Sequence, residues 1–276
     1  MFIFIAIDIM LILYFCLRNK SKKVQHTVLL IIAFLNFGLH FLKLAFPPYV
    51  NDLPNSAKGI TFINICAGTT LLLPWIYLIK KQNVLHDYIF FMGCCGGIGA
   101  LVYPSEALGD MPFTFDVLRF YFCHISILIV PMLAMLLGVY RPKIKNVWAV
   151  MMLWYAHLAI IMLNDFFLNG VGAYNMTTAE LFSYDHRNSS FIYGPHPDLI
   201  PVYNVLLDPF IPSFLKTDIF GIMSGGPFWF PLLWMFIPMC IYLPLVYGIL
   251  SSPVWIKELK AKRKAKQAEG AVVKRN

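Results

Sequence analysis

Charge is what this chain has least of. Only 13% of its residues are Asp, Glu, Lys or Arg, about half the share found in soluble domains, so the sequence cannot cover a water-facing surface of its own size. No segment alternates apolar and polar residues in the manner of a barrel strand, which excludes a β-barrel. No cysteine lies between the apolar runs. Cys16, Cys66, Cys94, Cys95, Cys123 and Cys240 all fall inside them, which argues against a disulfide framework. No pair of Cys or His has finger-like spacing, and the vicinal Cys94 and Cys95 point to different faces of a helix, so no metal site is expected. The glycine-rich run near residue 95 brings no Lys and precedes no helix in water, as a phosphate loop would. No cofactor is expected, and no internal repeat is present.

What fills the chain is apolar: 59% of residues are hydrophobic and the mean hydropathy is +0.69, gathered in blocks close to the ~20 residues that cross a bilayer. The reading is an all-α, polytopic membrane helix bundle with seven transmembrane helices, at about 2–17, 26–46, 59–79, 86–103, 115–139, 147–168 and 227–250. The first block has no basic residues before it and no small-residue cleavage site after it, so it is kept as a span and not assigned as a signal peptide. The membrane domain covers 1–254, including a long loop at about 170–225, and a basic tail occupies 255–276.

Basic residues cluster after span 1 (Arg18, Lys20, Lys22, Lys23), between spans 3 and 4 (Lys80, Lys81), between spans 5 and 6 (Arg141, Lys143, Lys145) and in the tail. The alternate loops and their edges carry acids, among them Asp52, Glu106, Asp110, Asp116, Asp165 and Asp198, with scattered bases such as Lys58, Arg187 and Lys216. The positive-inside rule then puts the N-terminus outside and the C-terminus in the cytoplasm. The net charge of +8 follows from these short loops and the tail, which suit anionic lipid and give no reason to expect nucleic acid. Localisation is integral to the membrane, in the plasma membrane if the source is bacterial. The long loop holds sequons at Asn175 and Asn188 and apolar pieces such as FIYGPHPDLIPVYNVLLDPFIPSFL, the pattern of a cover lying on the membrane surface.

Inside the spans the chemistry-bearing residues are few. Cys66 lies about seven residues into span 3, roughly 10 Å below the outer boundary, and His124 about nine residues into span 5, at roughly 14 Å. Asn164 and His157 share a face of span 6, Tyr121 shares the His124 face, and Arg119 and Asp116 sit closer to the surface, suited to a lipid headgroup or to each other. A thiol and an imidazole at one level supply the nucleophile and base of covalent acyl chemistry. A membrane Cys also serves as a small packing residue and a membrane His as a hydrogen-bonded core residue. Cys123 adjoins His124 but should point about 100° away from it, and Cys94 and Cys95 belong to a small-residue seam in which Gly93 pairs with Gly97, Cys95 with Gly99 and Gly96 with Ala100.

The stretches FINICAGTTLLLPWIYLIKKQN, FFMGCCGGIGALVYP and FDVLRFYFCHISILIVPMLAMLLGVYRP resemble the YwaF and transmembrane protein 164 family in order and spacing. The resemblance implies a lipid acyltransferase in which Cys66 takes an acyl group and His124 acts as base; the mechanism expected from those groups uses phospholipid and lysophospholipid as substrates, with Asn164, Tyr121 and His157 as supporting residues by their position on the spans. This chain carries Ile60 and Phe62 where bacterial members often carry a His and a Pro. Three other readings stay open: a lipid hydrolase at the same site, a small-molecule transporter, and a non-catalytic membrane scaffold, which would need neither Cys66 nor His124. The transporter reading requires polar residues through both leaflets, whereas here they cluster in one half.

Overall fold

The computed structural model describes residues 2–104, 107, 113–186, 189–223 and 226–273. Glu106, Asp110, Arg187 and the sequon at Asn188 lie outside the described residues. The fold is all-helical among these residues. Its main helices are α1 (Phe2–Leu17), α2 (Lys22–Leu42), α3 (Ile65–Leu78), α4 (Val84–Val102), α5 (Phe115–Leu136), α6 (Val147–Gly170), the short α7 (Ile200–Leu206) and α8 (Phe236–Val273).

Five of the described helical segments are long and apolar enough to cross a membrane: Lys22–Ala45, Val84–Val102, Phe115–Leu136, Ile144–Gly170 and Leu233–Ala261. The other two apolar helices are shorter. With 16 and 14 residues, α1 and α3 reach roughly 24 and 21 Å at 1.5 Å per residue, less than the ~30 Å hydrocarbon core. The expected span at 59–79 is thus cut at its start, for a reason that belongs to the site described below. The last helix also begins later than residue 227. Phe230 and Leu232 give their N–H groups to the carbonyls of Leu215 (2.7 Å) and Ile192 (3.0 Å), so this stretch is bonded to the long loop before the chain turns helical.

Helix α5 is the centre of the bundle. It is largely apolar, as a mostly buried helix must be; 72% of its most apolar window is buried, against 28% for the first and last long spans. It touches α1, α2, α3, α4 and α8. Its C-terminus is closed by a Schellman motif, in which Gly138 (φ 69°) takes the left-handed position and Val139 N–H reaches the Ala134 carbonyl at 2.8 Å. The Lys22 ammonium donates to the free Leu137 carbonyl at the same end. Gln82 donates to Arg141 there as well, so the basic connections after α1, α3 and α5 gather at one end of the bundle. The long loop lies at the other.

The α4–α5 contact depends on two glycines. A Cβ on Gly93 would stand 2.2 Å from the Ile127 carbonyl oxygen, and one on Gly97 would stand 2.7 Å from Leu128 Cβ and 3.0 Å from the His124 carbonyl. Gly96 faces α3 instead, and Gly99 has nothing within 4 Å, so the close seam is narrower than the three small-residue pairs in the sequence suggest. We expect Gly93→Ala to destabilise the protein by about 1–3 kcal/mol, since the obstacle is backbone and cannot rotate away. Gly99→Ala should stabilise it by about 0.5–1 kcal/mol through helix propensity alone. Thermal unfolding of the two variants in one detergent checks this, and equal effects would remove the seam from the account.

Candidate functional site

Cys66 does not lie two turns down a continuous helix. The backbone from Thr61 to Asn64 is non-helical, and α3 starts at Ile65 with Asn64 as its N-cap, the Asn64 side chain accepting from Ala67 N–H at 2.8 Å. Apolar runs read the same whether they are helix or buried loop, so hydropathy alone carried the helix back to residue 59; Asn64 followed by a helical run was the available signal. Cys66 is therefore the second residue of its helix. The N-terminal end of a helix favours negative charge, and this is a recurrent setting for reactive cysteines.

Several side chains fix that loop. Lys43 Nζ donates to the Gly59 carbonyl at 2.6 Å, a ring nitrogen of His40 to the Ile60 carbonyl at 3.2 Å, and Asn164 Nδ2 to Thr61 Oγ1 at 3.0 Å. Ser190, from the long loop, accepts the Ile65 N–H at 2.7 Å. Ser190 and Phe191 both hold positive φ, 57° and 64°, a conformation that costs a non-glycine residue about 1–2 kcal/mol. Their surroundings hold it: Trp234 Nε1 donates to the Phe191 carbonyl at 2.8 Å, and Tyr193 OH reaches the fully buried Asp165 at 3.4 Å. Strain beside a candidate nucleophile marks a segment whose shape is imposed by its neighbours.

His124 is buried on α5, and its Nδ1 lies 2.8 Å from the Phe120 carbonyl. A carbonyl only accepts, so Nδ1 carries the proton and Nε2 presents a lone pair. This is the tautomer that a general base needs. Helices α3 and α5 are direct neighbours. The Cys66 sulfur lies against Gly96, 3.3 Å from where its Cβ would be, while the His124 carbonyl lies against the next residue, Gly97.

Cys66 and His124 line one cavity of about 1010 Å³, at the upper end of the range for small-molecule sites. Its inner wall is apolar, formed by residues such as Phe91, Met92, Trp154, Met239, Leu243 and Val246. At the loop end Ser190, Phe191, Leu199, Tyr203 and Leu207 complete it, so the long loop covers the cavity as its apolar pieces suggest. His40, Lys43, Tyr49 and Arg119 also line it.

The other residues expected at the site are placed unevenly. Arg119 is on the cavity wall, with Asp116 at 2.7 Å. Asn164 acts at one remove, through Thr61. His157 packs behind α3: Tyr88 OH pairs with its Nδ1, while Nε2 has no hydrogen-bond partner among the described residues and lies 1.8 Å from where a Cβ of Gly68 would stand. Tyr121 stacks on Phe2, with ring centroids 3.4 Å apart. Cys123, expected to point away from the His124 face, and Cys95, expected in the packing seam, both reach the cavity, whereas Cys94 is fully buried. Neither Cys95 nor Cys123 stands at a helix N-terminus, so Cys66 keeps a setting that they lack. Sequence reading passed over Asn64, Ser190, Lys43 and His40. Lys43 and His40 were detectable as a lysine and a histidine at the end of an apolar span; Ser190 had no signal, because its contact crosses 125 residues.

The chain belongs to the TMEM164 family, whose model matches residues 1–247. No curated protein and no solved structure gives a significant match. Family and apolar helices together make it an integral, multi-pass membrane protein.

Proposed function

We propose that this member of the TMEM164 family is a membrane-embedded acyltransferase that moves a fatty acyl group between phospholipid and lysophospholipid through a thioester on Cys66. The observation that carries the reading is the single cavity that holds Cys66 at a helix N-terminus and His124 in its base tautomer, with an apolar wall able to take an acyl chain. The seven-span topology and the sidedness belong to the same proposal. The gathering of basic connections at one end supports placing the cavity in the outer half of the bilayer, in a plasma membrane if the source is bacterial.

In this reading His124 Nε2 takes the Cys66 proton as the sulfur attacks the ester carbonyl of the donor lipid. The carbonyl C–O bond breaks, the leaving glycerol oxygen takes the proton from the imidazolium, and lysophospholipid departs. An acceptor lysophospholipid then gives its hydroxyl proton to His124 and attacks the thioester. The sulfur leaves and regains the proton, so acyl group and proton both balance over the cycle. Asn64, Ser190, Thr61 and Asn164 hold the Cys66 turn in place; the first two also line the cavity beside it.

The test is to trap the intermediate. Purified protein mixed with a phospholipid bearing an alkyne-tagged acyl chain should carry the tag on Cys66, removable by hydroxylamine, and added lysophospholipid should discharge it. A tag on Cys95 or Cys123 with none on Cys66 would overturn the assignment. Discharge to water in place of lysophospholipid would make the protein a hydrolase.

A further inference from the structure

The end of the cavity nearest the long loop is unlike the rest. Lys43 and His40 are 5% and 4% exposed, yet both line the cavity, together with Arg119 and Tyr49. Cationic side chains at the end of an apolar cavity are costly to bury and mark a ligand of opposite charge or a structural pair. Part of this cluster is structural. Arg119 bonds Asp116 through Nε at 3.0 Å and Nη2 at 2.7 Å, and Nη2 also reaches Tyr49 OH at 3.2 Å. Together with a further hydrogen bond from Arg119 to Cys123, these contacts engage most but not all of the five N–H groups of the guanidinium. The Tyr49 ring lies under both cations, with Lys43 Nζ at 5.2 Å and Arg119 Cζ at 5.7 Å from its centroid. Burial pushes the Tyr49 phenol up to about 12, against the pull of Arg119, so the ring stays neutral and keeps the two cations facing one space.

We infer that Lys43 and Arg119, with His40 beside them and Tyr49 between them, form a phosphate-binding subsite that takes the phosphodiester of a glycerophospholipid. Arg119 precedes His124 by five residues on α5, about 7.5 Å along the axis. A phosphate held at Arg119 therefore places the glycerol esters, a few bonds away, near the level of His124, with the acyl chains continuing along the apolar wall. A guanidinium beside an ammonium matches a phosphate oxygen pair in charge and geometry. What the ester does next rests on the acyl-transfer reading; binding of the phosphate does not.

The experiment uses full-length Cys66→Ala protein in detergent micelles, so that no turnover consumes the probe. Two probes share one oleoyl chain: lysophosphatidylcholine, which is zwitterionic and so is not drawn in by net charge, and mono-oleoylglycerol, which lacks the phosphate. Lysophosphatidylcholine should bind about tenfold tighter or more, the effect of one charge-assisted hydrogen bond. Arg119→Gln and Lys43→Gln should each bring the ratio towards one, and Arg119→Lys should keep most of it. Because Lys43 also holds Gly59, the Arg119 pair carries the test if Lys43→Gln does not fold. A ratio near one in the parent protein, or one unmoved by Arg119→Gln, overturns the subsite. Equal lipid binding combined with displacement by millimolar inorganic phosphate would assign the cations to free phosphate and overturn the headgroup. In the unsubstituted protein, a phosphate preference without a Cys66 thioester would leave the subsite standing and sink the transfer reading. A thioester with no preference would do the reverse.

Discussion

Acyl transfer should fall below detection in Cys66→Ala and drop by about 10²–10⁴-fold in His124→Ala, the span expected when a general base is removed, while both proteins stay folded. The two losses differ in kind. Alanine at 66 removes the atom that carries the acyl group, so no thioester forms at any time. Alanine at 124 leaves the sulfur in place, and a thioester should still accumulate slowly as the rare spontaneously ionised thiol reacts. Its rate should therefore rise with pH more steeply than that of the unsubstituted protein. Both changes are tolerable for the fold: Cys66 is only half-buried on a cavity wall, and His124 makes its described hydrogen bond within its own helix. The measurements are single-turnover labelling and transfer of a tagged acyl chain, with thermal unfolding as the control. Full transfer in Cys66→Ala would move the nucleophile to another group, such as Cys95 or Cys123 on the same cavity, and full transfer in His124→Ala would remove His124 as the base.

The helical frame and the two candidate residues, Cys66 and His124, were legible because they depend on local signals. An apolar block of the right length fixes a helix wherever neighbouring turns agree, and α2, α4, α5 and α6 begin and end within about four residues of the expected limits. A thiol and an imidazole stand out in such blocks because little else there is polar. Gly93 and Gly97 were legible for a similar reason, four-residue spacing being a property of one helix. The parts that escaped are those decided between segments. Whether FINIC is helix or loop depends on Ser190, Asn164, His40 and Lys43 taking up its backbone groups, and those partners come from three other parts of the chain. The direction of Cys95 and Cys123 likewise depends on where the cavity opens, which no single helix specifies.

Asp87 is the largest omission, and its removal is the second prediction. It sits in the first turn of α4, is fully buried, and was passed over because a lone acid near a basic loop reads as a surface residue. In the structure it accepts from Tyr247 OH at 2.7 Å, Lys143 N–H at 3.0 Å, Asn146 Nδ2 at 2.5 Å and Tyr140 OH. One carboxylate thus ties α4 to the α5–α6 connection and to α8, at the end of the bundle away from the cavity. In Asp87→Ala, Lys143 and Asn146 are near enough to water to recover partners, and Tyr247 OH keeps the Lys143 backbone (N–H at 3.1 Å, carbonyl at 3.5 Å), but the hydroxyls of Tyr140 and Tyr247, 3% and 0% exposed, both lose a charged acceptor. At about 1.5–3 kcal/mol for each hydrogen bond to a charged group, the variant should lose about 3–6 kcal/mol. Tyr247→Phe removes a donor and strands nothing that Tyr140 and Lys143 do not already satisfy, so it should cost only about 1.5–3 kcal/mol, the worth of a hydrogen bond to a charged group. Thermal unfolding in one detergent ranks the three proteins, and per-molecule transfer activity of the folded fraction should be unchanged because no cavity residue takes part in the hydrogen bonds of this cluster, its contact with the cavity wall being the packing of Tyr247 on Phe91. An Asp87→Ala protein that unfolds at the same temperature as the parent would show that these donors find other acceptors and that the tie is not needed. A folded but inactive variant would instead connect this end of the bundle to the cavity through α5.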